Sequence, residues 1–531
     1  MLTKISKIVN VLMKQNNFAE APYDFSQHIL RLPCRVLECT SGTYVHFGIA
    51  QYLEEPAQPS ATIIKINIAM YVVHVIEGST PWPKYLVIYG QQLGSGRSFI
   101  IGIYYGSFSL NSSINETLEP LVDEVQCLQN NYICFGERYL SFAVNSLITD
   151  PVTNSMVTCT AWPSSLYGCS KCKCETTFEF STNKTIFPTT VASDLRRDSD
   201  FYSEMENSEH HLTTPVLLRM GIGLISDVVI DYKYTVCLGV VKNLINFWMS
   251  GVLQHKFTPK EIDSIDAALL HFGPSCPVEF QWEPKGIRNH RFWTAYDYRQ
   301  FLIYYGPLVL RNVLSPPHYL NFFYLSIAMR IALDPKHCEA ANYEVCGILL
   351  RRFVADYAIL YGDDNVDHNV HYLLHLEEAL IKYKCLENVG GFKFHSSVDR
   401  TEVLMMKKMS ESSWTLRDLA KMVIKLQNRD KTKIDCLPDM SISALEPDNY
   451  LLMTNGVIQV QSLGFDQTGK VLLYGRRFLL SVPFVSSHLK QNIWKVSDLS
   501  SIEKFSLEQV VSKAAVFYMK DVAFAMPMLS F

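Results

Sequence analysis

No apolar run in the 531 residues reaches the roughly 18 to 20 that a membrane-crossing helix needs. The opening residues, Met1 to Gln15, carry spaced lysines and not a basic patch followed by an apolar stretch, so the pattern of a secretion signal is missing as well. The expectation is a soluble intracellular protein, in nucleus or cytoplasm, with no membrane contact. Basic charge is also scarce: 48 Lys and Arg stand against 52 Asp and Glu, for a net charge of −4. A chain so balanced has no general excess through which to displace counterions from DNA, and any such contact must come from a local patch. Among 14 cysteines one close pair, Cys169 and Cys172, stands out. That scatter suits reduced thiols and excludes a disulfide framework. Tandem repeats and low-complexity tracts are absent.

What the sequence does have is apolar substance. At 48% hydrophobic and 12% aromatic residues it can bury several packed units. Residues 1–60 read as a mostly irregular lead-in, punctuated by Pro22, Pro33, Pro56 and Pro59. From Thr62 to Val75 β-branched residues dominate, with Ile64, Ile66 and Ile68 alternating, which predicts a buried strand. Tyr85 to Tyr89 and Phe99 to Tyr105 give two more strands, joined through Gly94-Ser95-Gly96, a hairpin turn since no helix follows it. Leu118, Leu121, Val122 and Val125 then fall on one helical face, and Tyr139 to Thr149 returns to strand before Asp150 and Pro151.

Residues 61–165 thus form the first part of an α/β core, and 166–215 a cysteine and histidine knuckle region. Helical spacing prevails over 216–430, with Thr258, Pro259 and Glu261 as a capping-box start and another helix from Thr415 to about Gln427. The last stretch, 431–531, turns to strands. Asn455-Gly456 between two apolar runs is a hairpin signal, and a small all-β barrel or sandwich is expected there.

A series of ordered landmarks then carries a resemblance. Asn67-Ile68-Ala69-Met70 with Trp82-Pro83, the run Phe99 to Gly106, Thr149-Asp150-Pro151, the knuckle Tyr167 to Cys172, Glu209-His210-His211, Asp231 to Gly239, Arg299 to Pro307, Asn369-Val370-His371 with His375, and Gly475 to Phe478 together resemble the transposases of CACTA (En/Spm-like) DNA transposons, in their insect-type transposase-derived form. The resemblance implies a ribonuclease H-like (RNase H-like, DDE transposase) core with a large all-helical insertion. It implies DNA as partner and a pair of Mg²⁺ ions as cofactor, held by three acids. The chain begins almost at this core, so a separate upstream DNA-binding module is expected to be missing.

The departures fall where that chemistry would sit. The first-strand aspartate of the family pattern is Ala69, the histidine ending its Asp-Tyr-Met-His is Tyr234, and a histidine preceding its knuckle is Pro163. Asp150 matches the second acid; on its own, an aspartate before proline at a strand end also starts a turn. For the third acid two positions compete, Asp297 and the one occupied by His395, and a helical carboxylate such as Asp297 is otherwise a solvated surface group. Paired divalent ions activate the nucleophile and stabilise the leaving oxygen in such a displacement. An alanine methyl offers them nothing, and losing several kcal/mol of that stabilisation slows the reaction about a thousandfold or more. The expectation is a protein without strand cleavage. The alternatives are a domesticated DNA-binding or protein-interaction scaffold, self-association included, and an enzyme still active through another acid such as Glu77.

Cys169 and Cys172 with His210 and His211 have the ligand types and gap of a tetrahedral Zn²⁺ site, with Cys174 as a substitute ligand. The other reading is two half-buried thiols in a loop. His371 and His375, one turn apart among leucines, point to packing; Lys407-Lys408 and Arg476-Arg477 point to solvated surface.

Overall fold

The computed structural model describes residues 35–73, 84–95, 97–106, 113–191, 194–203, 209–251, 256–280, 283–337, 339–394, 443–465, 471–484, 493–519 and 522–529. Among these residues no helix is long and apolar enough to cross a membrane. The chain divides into two compact units, residues 1–235 with 389–433, and residues 236–388 with 434–531.

The first unit is built on one mixed sheet. Its strands are β1 (Arg35–Cys39), β2 (Gly42–His46), β3 (Ile63–Val73), β4 (Lys84–Gln92), β5 (Ser98–Gly106), β6 (Ile133–Phe135), β7 (Arg138–Thr149) and β10 (Val228–Ile230), with the short pair β8 (Thr177–Glu179) and β9 (Lys184–Ile186) apart from it. The order across the sheet is β1-β2-β5-β4-β3-β7-β10, with β6 against β7. β3, β4 and β5 pair antiparallel, whereas β3, β7 and β10 run parallel. Parallel neighbours need a crossover, and helix α1 (Ser113–Asn130) supplies it between β5 and β7.

Side chains alternate across a strand, and β3 uses both of its faces. Ile64, Ile66, Ile68 and Met70 enter one core with Leu118, Leu121, Val122 and Val125 of α1. Each such side chain contributes about 1.5–3 kcal/mol when fully buried. Asn67, Ala69 and Tyr71 face the other way and are buried too. A strand covered on both sides reads as nearly continuous apolar sequence, as β3 does.

The lead-in contains more order than its prolines suggest. β1 and β2 form a hairpin whose second strand pairs with β5. A buried pair fastens it to α1: His46 Nε2 lies 2.8 Å from Glu124 Oε2. Glu124 Oε1 accepts the backbone N–H groups of Ile49 and Ala50 at 2.7 and 3.1 Å.

The second unit begins in a π-helical stretch, Lys233–Val241, that runs into α3 (Lys242–Ser250). α4 (Pro259–Phe272) starts on the expected capping box at Thr258. α5 (Ala295–Gln300), α6 (Pro316–Leu333) and α7 (Ala340–Tyr361) follow, the last two carrying buried rows such as Phe322, Leu325 and Met329, or Phe353 and Tyr357. The helix expected from Thr415 lies outside the described residues, as do Glu77, Gly96, His395 and Lys407-Lys408.

The closing strands form a barrel. β11 (Tyr450–Met453), β12 (Gly456–Phe465), β13 (Val471–Pro483), β14 (Trp494–Ser506), β15 (Val510–Met519) and β16 (Val522–Pro527) close in the order β11-β12-β13-β14-β16-β15. The expected hairpin is there, with Gly456 at φ 124° after Asn455, a conformation that glycine reaches without strain. Lys513 of β15 is fully buried and its ammonium meets both oxygens of Glu279 at 2.9 and 2.7 Å, which compensates an otherwise costly burial.

Candidate functional site

The ends of the three parallel strands bring the acids of the first unit together. Ala69 lies opposite Ile148 of β7, and Ile148 opposite Val229 of β10. Counting on by two, Tyr71, Asp150 and Asp231 are in phase with them on the face away from α1. The phenol of Tyr71 is held well above its ordinary range by burial first, then by the charge of Asp231, with Asp150 adding to it. Ala69 and Asp150, paired by the sequence reading, therefore stand on one face of adjacent strands, with Asp150 two residues further along, and Asp231 follows on the next strand.

Neither carboxylate is idle. Asp150 caps helix α2 (Pro151–Val157): Oδ1 accepts the N–H groups of Val152 and Thr153, each at 2.9 Å, and Oδ2 accepts the Thr153 hydroxyl. Burial pushes its pKa up from the ordinary 3.8, against those hydrogen bonds, which lower it. Thr153 Oγ1 in turn accepts the N–H of Val72 at 3.2 Å, tying α2 to β3.

Asp231 is fully enclosed. Its Oδ1 accepts the N–H groups of Lys233 and Gly391, both at 3.0 Å, and its Oδ2 accepts the Tyr71 hydroxyl at 2.9 Å. Burial raises its pKa, while the two backbone donors, Lys233 and Tyr71 hold it down. A side chain at Gly391 would run into Asp231 Oδ2 and the Tyr71 oxygen, so the returning chain can lie this close only as glycine. Phe392 packs on Tyr232 at 5.3 Å and Phe394 on Tyr89 at 6.0 Å. Sequence reasoning passed over Asp231, although it follows the β-branched run Val228–Ile230 as Asp150 follows β7.

A pair of Mg²⁺ ions does not fit these residues. Mg²⁺ takes hard oxygen ligands in near-octahedral array, and here one position is a methyl group while both carboxylates are taken up by four backbone N–H groups and two hydroxyls.

Asp297 belongs to the second unit. It is the third residue of α5, in a capping box with Thr294. Its Oδ2 accepts the Thr294 N–H at 2.7 Å, the Thr294 hydroxyl at 2.9 Å and the Lys285 ammonium at 2.8 Å. It is buried and not the solvated surface group that a lone helical carboxylate suggests.

Sulfur ligands gather around the knuckle. Cys169 and Cys172 Sγ are 3.7 Å apart, and the N–H groups of Lys171 and Cys172 both point at Cys169 Sγ at 3.4 Å. Contact with these two sulfurs, then burial, pushes the Cys174 thiol far up. Cys169, Cys172 and Cys174 form a buried group whose sulfurs lie within 4.8 Å of one another, and it could hold a metal such as zinc. Cys169 and Cys172, the expected ligands, are in it with Cys174, the substitute, and His210 and His211 are not. His210 instead hydrogen-bonds through Nδ1 to the Tyr167 carbonyl at 2.7 Å. Burial and the nearby Arg196 lower its pKa to about 3. His211 stands edge-on to Phe201 at 4.4 Å.

No protein-family model matches the chain, and no curated protein does. Among solved structures it is similar to the Drosophila P element transposase strand transfer complex, at 10% identity over 75% of this chain and 83% of that chain, with a TM-score of 0.36. So low a score leaves fold and activity to be argued from the residues themselves.

Proposed function

We propose that this chain is a transposase-derived protein of the CACTA type whose RNase H-like core no longer cuts DNA. Support for the core comes from its strand order. Three antiparallel strands, a crossover helix, then two further strands parallel to the first, in the order β5-β4-β3-β7-β10, is the arrangement such enzymes use to gather acids at strand ends. Of the landmark residues, Asn67 to Met70, Phe99 to Gly106 and Thr149 to Pro151 lie on these strands or at their ends. The loss of catalysis rests on one observation: where the first acid belongs, on the strand next to the one that ends at Asp150, the side chain is the methyl group of Ala69.

Binding is then the retained activity, with DNA or a protein as partner and the nucleus as the fitting compartment. The cysteine group serves structure in this reading. The test is direct. Purified protein incubated with supercoiled plasmid and Mg²⁺ or Mn²⁺ is expected to leave the DNA intact; nicking that disappears in Asp150→Ala would show a working acid site and overturn the reading.

A further inference from the structure

Lys233 offers a cation of its own to the strand-end acids. It is 5% exposed, and lysines that deep are rare without compensation. Its ammonium lies 6.0 Å from the centre of the Tyr71 ring and 5.3 Å from that of Tyr234, within the range where ring faces attract a cation. The two rings are 5.2 Å apart, and Tyr71 passes its hydroxyl on to Asp231. The backbone of Lys233 is fixed by the same carboxylate. Asp231 on this closed face thus feels one buried ammonium, and no acid stands at Ala69.

We propose that Lys233 is a resident stand-in for the divalent cations of this site, a positioning residue that balances Asp231 and closes the face to metal. The proposal rests on the reading of the site as a disarmed acid cluster. Its consequence is that an acid returned at position 69 pairs with Lys233 before it can recruit a metal. One substitution is then not enough to rebuild a cation site, whereas two are.

The experiment measures Mn²⁺ bound by the full chain, from the loss of the free-ion electron paramagnetic resonance signal. It compares the parent, Ala69→Asp, Lys233→Met, the double variant and the double variant with Asp150→Asn, each checked for folding by its thermal midpoint. Ala69→Asp is expected to bind no better than the parent. The double variant is expected to bind at least about tenfold more tightly, roughly 1.4 kcal/mol, and to lose this with Asp150→Asn. Equal binding by Ala69→Asp and the double variant, or a folded double variant that gains nothing, overturns the proposal. Should the double variant not fold, a stability cycle of Lys233→Met with Asp231→Asn decides. Coupling between the two supports a charge-balancing role, and strict additivity removes it. Mn²⁺ binding by Ala69→Asp alone would sink only the role of Lys233, whereas metal-dependent cutting by the parent would sink the disarmed-site reading itself.

Discussion

Asp150 combines two roles that can be separated by substitution. As the cap of α2 it satisfies two N–H groups that a helix start leaves without partners. As a partly enclosed carboxylate it carries a charge that its surroundings disfavour. Asparagine caps as well as aspartate does, whereas alanine does not. Asp150→Ala is expected to lower stability by about 0.5–2 kcal/mol, read by urea unfolding. Asp150→Asn should keep the cap and remove the charge. Because the folded carboxyl holds its proton more tightly than the unfolded chain, its contribution is full below the ordinary 3.8 and fades as pH rises through the raised value. The stability of Asp150→Asn relative to the parent should therefore climb across that window and level off above it. A flat difference across the window would contradict this assignment.

Among the elements, the hairpin β1–β2 pairs with β5 and meets α1 through a buried carboxylate. Glu124 on α1 receives His46 and two backbone N–H groups. Glu124→Ala strands these donors and is expected to cost about 3–5 kcal/mol, measured as a fall in the chemical unfolding midpoint. Wild-type-like stability would show that the donors find other partners. Much of the central sheet is legible from the sequence, because β3, β4, β5 and β7 are long apolar or alternating runs and α1 keeps one helical face. The hairpin is not. Its strands have five residues each, and its register depends on pairing with β5, which no local pattern announces. β10 is shorter still, and only its parallel pairing with β7 makes it a strand. The candidate site divides the same way. Ala69 and Asp150 are found through strand order, and Cys169 with Cys172 through their spacing. Asp231, a landmark without a role in the sequence, gains one only through the Gly391 N–H, which lies far away along the chain.

For the whole molecule, the group of three thiols is the feature most open to measurement. Three buried cysteines beside one another are a poor core unless something holds them, since thiols kept close raise one another's pKa and a cation reverses that preference. The purified protein is expected to retain about one equivalent of zinc after dialysis. Chelation should lower its thermal midpoint, and Cys172→Ser should reduce both metal content and stability. A metal-free preparation with an unchanged midpoint after chelator would leave the cysteines as ordinary core residues.

The bond from Gly391 to Asp231 spans 160 positions. The chain departs from the first unit at Thr235 and re-enters at Val389, so this carboxylate fastens the two ends of one long excursion side by side. Closing a longer excursion adds only about 0.6 kcal/mol per doubling of its length. Once its anchors are fixed, what lies between them can be lengthened, shortened or exchanged with little penalty to the sheet. Insertion is thus expected to be refused at Asp231 and Gly391 and tolerated only in exposed loops between the packed helices of the excursion.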